Sequence, residues 1–147
     1  MNIKVVYHST TGRTRKLAKA IADTLGTKAN QIEKTKFSFN EPLDILFIGS
    51  GIYGGKPHKK VISFIAGLNP DIIKNVAVFA TYSGMDKIGA DMKKRLKEKH
   101  LEVIGKPFIC KGQAWLFINR NRPNEADLKE VRKYARSIVN KVSDKMR

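Results

Sequence analysis

The sequence predicts an open, doubly wound α/β domain in which a five-stranded parallel sheet is covered by helices on both faces. Three observations predict it. Short apolar runs alternate along the chain with segments whose apolar residues recur at three and four positions, the pattern of repeated strand–helix–strand units. Two of the runs, DILFIGS (44–50) and VAVFATYS (76–83), are apolar almost throughout, as strands covered on both faces are. At 147 residues the chain has the length of a single domain with a full core, and it carries no internal repeat, low-complexity segment or linker, so residues 1–147 are expected to fold as one unit.

The first strand is expected over NIKVVYH (2–8), a β-branched run that ends at the polar, glycine-containing STTGRT. From residue 13 to 25, Leu17, Ala18, Ile21, Ala22 and Leu25 form one apolar stripe while Arg15, Lys16 and Lys19 face water. Gly26 stops this helix, because glycine enters the left-handed C-terminal conformation without steric cost. A weak second strand is expected over residues 31–33, and the third, 44–50, leads into the glycine-rich GSGIYGGKP. Helical spacing resumes at Val61, Ile62, Ile65 and Leu68; the strand 76–83 follows; then residues 86–99 set Ile88, Met92 and Leu96 four apart on a lysine-rich surface. A fifth strand is expected over 102–110, and Trp115 and Phe117 beyond it belong to a core or edge segment. The last helix opens at Pro123-Asn124 with Asp127 placed for a capping box, and its stripe is Leu128, Val131, Ala135, Ile138 and Val142. The final SDKMR is expected to fray.

Composition narrows the function classes. No apolar run approaches the roughly 18 residues that span a bilayer, and residues 1–8 run straight into a strand pattern with no signal-sequence character, so a soluble cytoplasmic protein is expected. The single cysteine, Cys110, has no disulfide or CxxC partner and reads as a buried strand-end thiol. No metal site is expected. Charge is the unusual property: 29 Lys+Arg against 13 Asp+Glu give +16, a field that attracts nucleic acid, anionic membrane or acidic protein alike. The lysines are spread over several helices without interleaved aromatics, which favours solvated faces over a specific nucleic-acid site.

In open parallel sheets ligands bind outside the carboxyl ends of the strands, so the loops after strands carry the information. Ser9-Thr10-Thr11-Gly12-Arg13-Thr14 opens a helix with hydroxyls and one glycine, a concavity of donors suited to a phosphate dianion. It is neither GxGxxG nor GxxxxGK[ST], so it spells neither a dinucleotide nor an ATP loop. This [ST]-x-T-G-x-T pattern resembles the FMN-phosphate loop of the flavodoxin family. In the same order, Gly49-Ser50-Gly51-Ile52-Tyr53-Gly54-Gly55-Lys56 resembles that family's first isoalloxazine-contacting loop, and Ala80-Thr81-Tyr82-Ser83-Gly84 its second. GSGIYGGKPHKKVISFI is also similar to the flavodoxin domain of menaquinone-dependent protoporphyrinogen oxidases, and the resemblance covers essentially the whole chain.

The resemblance implies a flavodoxin-like five-stranded sheet and an FMN bound by Ser9, Thr10, Thr11, Gly12, Arg13 and Thr14 at the phosphate, with Thr11 and Thr14 giving hydroxyl donors. It implies Ser50, Gly51, Ile52, Tyr53 and Gly54, with Thr81, Tyr82, Ser83 and Gly84, around the ring. Tyr53 and Tyr82 supply the flat contacts that a planar flavin needs, and Gly54 sits where the family's peptide flips. Two features depart from the family: its members are usually acidic, and Arg13 stands where positive charge is avoided. His8 and His58 flank the loops as packing or surface residues without a catalytic role. The first expected function is electron transfer by a monomer that docks on redox partner proteins with an acidic face, binds no specific nucleic acid, and touches anionic membrane at most peripherally. An FMN-dependent oxidoreductase of quinone or porphyrinogen is the alternative, and a basic nucleic-acid-binding module the remote one. The positive field is further expected to raise the potential of the bound flavin.

Overall fold

Strands and helices alternate in the order β1 (Ile3–His8), α1 (Arg13–Leu25), β2 (Ala29–Gln31), β3 (Ile45–Tyr53), β4 (Lys56–Pro57), α2 (Lys59–Ala66), β5 (Val76–Tyr82), α3 (Ile88–Glu98), β6 (Phe108–Lys111) and α4 (Glu125–Lys145). The computed structural model describes residues 1–32, 41–53, 56–82, 88–111 and 122–147. Five strands pair in parallel in the order β2-β1-β3-β5-β6, and the two-residue β4 adds antiparallel to the end of β3. The chain enters at β1, moves outward to β2, and returns to β3 on the other side of β1. The order therefore reverses between β1 and β3, where the loops leaving the two carboxyl ends diverge and open a crevice.

The period-two alternation of each strand divides the core. Val5 and Tyr7 of β1, Ile45 and Phe47 of β3, and Ala77 and Phe79 of β5 face α1 and α4 with Leu17, Ile21, Val131, Ala135 and Ile138. Their neighbours Val6, Leu46, Ile48, Val76 and Val78 face α2 and α3 with Val61, Ile65, Met92 and Leu96. Because both faces are covered, the strands must be apolar at every position, which is why 44–50 and 76–83 read as continuous runs. The α1 and α4 stripes pack as their spacing predicts, as do Met92 and Leu96 of α3. Asn124 and Asp127 form the predicted capping box, and Gly26 adopts φ 69° at the end of α1.

Four boundaries differ from expectation. The third strand does not end at Ser50 but continues to Tyr53, because Gly51 still pairs with Thr81 and Ile52 and Tyr53 pair back with Pro57 and Lys56. The second strand lies at Ala29–Gln31, directly after the Gly26 turn. The fifth parallel strand begins only at Phe108: Val103 makes an isolated bridge to Val76, then Gly105 turns the chain at φ 70° and Pro107 has no N–H to donate. Nor does SDKMR fray, since α4 runs to Lys145, whose Nζ reaches Glu102 Oε2 at 2.7 Å and Asn75 Oδ1 at 2.9 Å. Trp115 and Phe117 lie outside the described residues.

Candidate cofactor-binding site

The carboxyl ends of β1, β3 and β5 meet because their registers bring His8 beside Ser50 and Gly51 beside Thr81. Beyond His8, the half-buried Ser9 accepts through Oγ from the Gly12 N–H at 3.0 Å, which folds the loop back onto the start of α1. Gly12 takes φ 88°, a left-handed value, with nothing within 4 Å of where a Cβ would stand. Backbone conformation and not crowding therefore selects glycine here. Thr10 and Thr11 are exposed on this turn, and Arg13, the first residue of α1, is half-buried.

Gly12 has no side chain with which to cap α1, and no acidic residue stands in the helix's first turn. By contrast, α2 is capped by His58 Nδ1, which accepts from Lys60 N–H at 3.1 Å, and α4 by the Asn124–Asp127 box. The start of α1 thus presents its dipole and backbone donors toward the crevice, as an anion requires. Thr14, the second residue of α1, is only 2% exposed, and its Oγ1 lies 2.8 Å from Thr81 Oγ1. The start of α1 and the end of β5, remote in sequence, are tied by this hydroxyl pair.

Ser50 links the second loop. Its Oγ, fully buried, donates to the Gly51 carbonyl at 2.6 Å and accepts from the His58 N–H at 3.1 Å. The His8 and His58 rings stack with centroids 3.7 Å apart and 18° between planes, joining the end of β1 to the start of α2. Both histidines pack, as the sequence suggests. Gly49 serves the core: a Cβ there would fall 2.1 Å from Cε2 of Phe79, its partner on β5. Ile52 and Tyr53 complete β3 by their backbone, and Tyr82 is half-buried at the end of β5. The side chains of Ile52 and Tyr53, and all of Gly54, Ser83 and Gly84, lie outside the described residues.

One polar cluster escapes the sequence reading. At the β5–β6 edge, Arg122 binds Asp127 through Nη2–Oδ1 at 2.5 Å and Nε–Oδ2 at 2.9 Å, and Asp127 also accepts from the Asn124 N–H at 2.8 Å. The Arg122 guanidinium holds the Asp127 carboxyl below its ordinary value. Beside it, burial first and the neighbouring Asp127 charge second push the Cys110 thiol up to about 11. Cys110 is thus the buried strand-end thiol that the sequence predicts. The adjacent Arg-Pro-Asn was the available signal for Arg122, but its carboxylate partner sits inside the capping box and is assigned fully by that role.

A flavodoxin domain family model matches residues 4–116. An uncharacterised protein of Methanocaldococcus jannaschii is 33% identical, covering 92% of this chain and 94% of its own. Among solved structures, a flavodoxin from the domain Archaea, 19% identical, covers 97% of this chain and 99% of its own at a TM-score of 0.72. The rubredoxin:oxygen oxidoreductase of Desulfovibrio gigas, 16% identical, reaches 0.77 over 99% of this chain, which spans only 37% of that protein. No helix among the described residues is long and apolar enough to cross a membrane.

Proposed function

The chain belongs to the flavodoxin domain family, which implies a flavin cofactor, and on that premise we propose that it binds one FMN at the β1/β3 crevice and carries electrons between proteins. The observation that carries this reading is the uncapped, acid-free start of α1, placed at the switch point behind a left-handed Gly12. Thr10, Thr11 and the α1 backbone donors would hold the phosphate, with Arg13 adding charge. The Thr14 hydroxyl is shared with Thr81; when Thr81 donates to it, the Thr14 hydrogen is left for a phosphate oxygen. Residues 50–54 and 81–84 would border the ring, with Tyr53 and Tyr82 against its faces. Bound FMN supplies reversible one- and two-electron chemistry, and the protein's part is to hold the ring, exclude water from it and leave one edge open. His8 and His58, beside the strand ends, stack on each other and His58 also caps α2, which favours a carrier over an enzyme that uses either histidine as acid or base.

The purified protein should show flavin absorption bands and release FMN, not FAD, on denaturation. Thr10→Val with Thr11→Val should weaken FMN at least about tenfold while changing riboflavin affinity little, since charge-assisted hydrogen bonds contribute roughly 1.5–3 kcal/mol each. Equal losses for both ligands would remove the phosphate from this loop. Turnover of a quinone or porphyrinogen by the loaded protein would replace the carrier with an oxidoreductase.

A further inference from the structure

The outer faces of α1 and α4 meet along a groove of about 420 Å³. Its floor is Ala20, Pro123 and Leu128, and its rim carries Lys16 and Lys19 from α1 and Arg132 from α4. Both lysines are exposed and Arg132 is half-buried. None of the three is in an ion pair among the described residues, whereas Lys74, Arg95, Arg122, Lys133 and Lys145 each have a carboxylate partner. Arg15 of α1 and Lys129 and Arg136 of α4 are also exposed. The groove starts one helical turn from the phosphate loop, for the Lys16 N–H donates to the Gly12 carbonyl at 3.2 Å. Like α1, α4 begins at the carboxyl edge of the sheet, where the cofactor reading places the flavin.

We propose that this groove docks an acidic segment of a redox partner protein. Its carboxylates meet Lys16, Lys19 and Arg132, and one aliphatic or aromatic side chain seats on Ala20 and Leu128. The inference rests on the electron-transfer reading, since docking here brings the partner beside the flavin edge. Three cations, without an ion pair among the described residues, outnumber the lining carboxylates Asp23 and Glu125 around an apolar floor and match carboxylates flanking an apolar residue. A phosphate backbone has no apolar group for that floor, and no aromatic side chain lines the groove for base stacking. A flat bilayer surface does not reach a concave floor. The rim pairs stay partly solvated, so they steer association and fix register, while the seated side chain sets residence time.

The test uses a fluorescein-labelled peptide of glutamates with leucine at every fourth position, an all-glutamate peptide of equal length, and oligothymidylate, each titrated at physiological salt against flavin-loaded and flavin-stripped protein. Lys16→Gln/Lys19→Gln/Arg132→Gln should weaken the leucine-containing peptide at least about tenfold. Lys93→Gln/Lys94→Gln/Lys97→Gln, which removes the same charge from α3 on the opposite face, should change it less than about twofold. The all-glutamate peptide should bind several-fold more weakly. Equal losses in the two variants, or no peptide binding, overturn the groove, and tighter groove-dependent binding of oligothymidylate assigns it to nucleic acid. A protein that takes up no flavin yet binds the peptide through the groove overturns the electron-transfer reading instead, so the two failures are distinct.

Discussion

At the scale of single residues, the hydroxyl pair Thr14–Thr81 has two duties, one to the fold and one to the proposed ligand. Both side chains are buried, so removing one leaves the other without its partner. Thr14→Val and Thr81→Val should each destabilise by about 1–3 kcal/mol, whereas the double variant should cost less than their sum, because an apolar pair of the same shape leaves no polar orphan. A double-mutant cycle by denaturant unfolding checks this, and strict additivity would mean the two hydroxyls do not interact. Variants carrying Thr14→Val should also lose FMN affinity. Gly49 is a second residue whose role is set by its neighbour. Gly49→Ala puts a methyl into the Phe79 ring and should destabilise by about 1–3 kcal/mol through overpacking, measured on flavin-free protein so that cofactor loss is not mistaken for it.

Among the elements, α4 is the most heavily fastened. The capping box and Arg122 hold its start, Tyr134 donates to the Val78 carbonyl at 2.9 Å in its middle, and Lys145 ties down its end. Asp127 serves both the cap and the ion pair. Its folded pKa lies below the ordinary 3.8, the Arg122 hydrogen bond being the main cause. The stabilisation is therefore complete above about pH 4 and is lost as pH falls through the depressed folded value. Asp127→Asn should be less stable than the parent at neutral pH, by about 1.5–3 kcal/mol for charge-assisted bonds, and the difference should shrink below pH 4. Denaturant titrations from pH 7 to pH 2 test it; a gap that stays constant would show that the charge contributes nothing. By comparison α1 is fixed mainly by its buried stripe, and its start carries no side-chain cap.

For the whole molecule, +16 is the property most at odds with acidic relatives. Reduction adds negative charge to a flavin, which nearby cations favour and carboxylates oppose. Arg13 and Lys16 lie on the first turn and a half of α1, and Lys56, Lys59 and Lys60 beside the β3–β4 hairpin, so part of the field belongs to the carboxyl edge itself. The midpoint potential of the bound FMN should lie above that of acidic flavodoxins and should fall as salt rises past a Debye length of roughly 8 Å at physiological strength. Potentiometric titration at low and high salt decides; a low, salt-insensitive potential would leave the charge to partner choice alone.

Read from the sequence alone, the fold class, the two buried strands, the α1 and α4 stripes, the Gly26 stop and the Asn124 capping box were all determined, because each depends on a periodicity or a contact within a few residues. The turn after β1 was legible for the same reason, being a contiguous string after a strand, whereas residues 49–53 and 80–82 belong to β3 and β5 themselves. Tertiary structure alone decided which residues of these segments touch. Thr14 meets Thr81 across 67 positions, His8 stacks on His58, and Gly49 makes room for Phe79, contacts between distant segments that no local pattern encodes. It also decided that the third strand outlasts its apolar run, since pairing with β4 and β5 continues where the glycines begin. Likewise the tail that composition marks as loose is helical, because Lys145 finds Glu102 and Asn75 on distant loops. Long-range hydrogen bonds stabilise what local propensity leaves undecided, and they exist only once the sheet has brought their partners together.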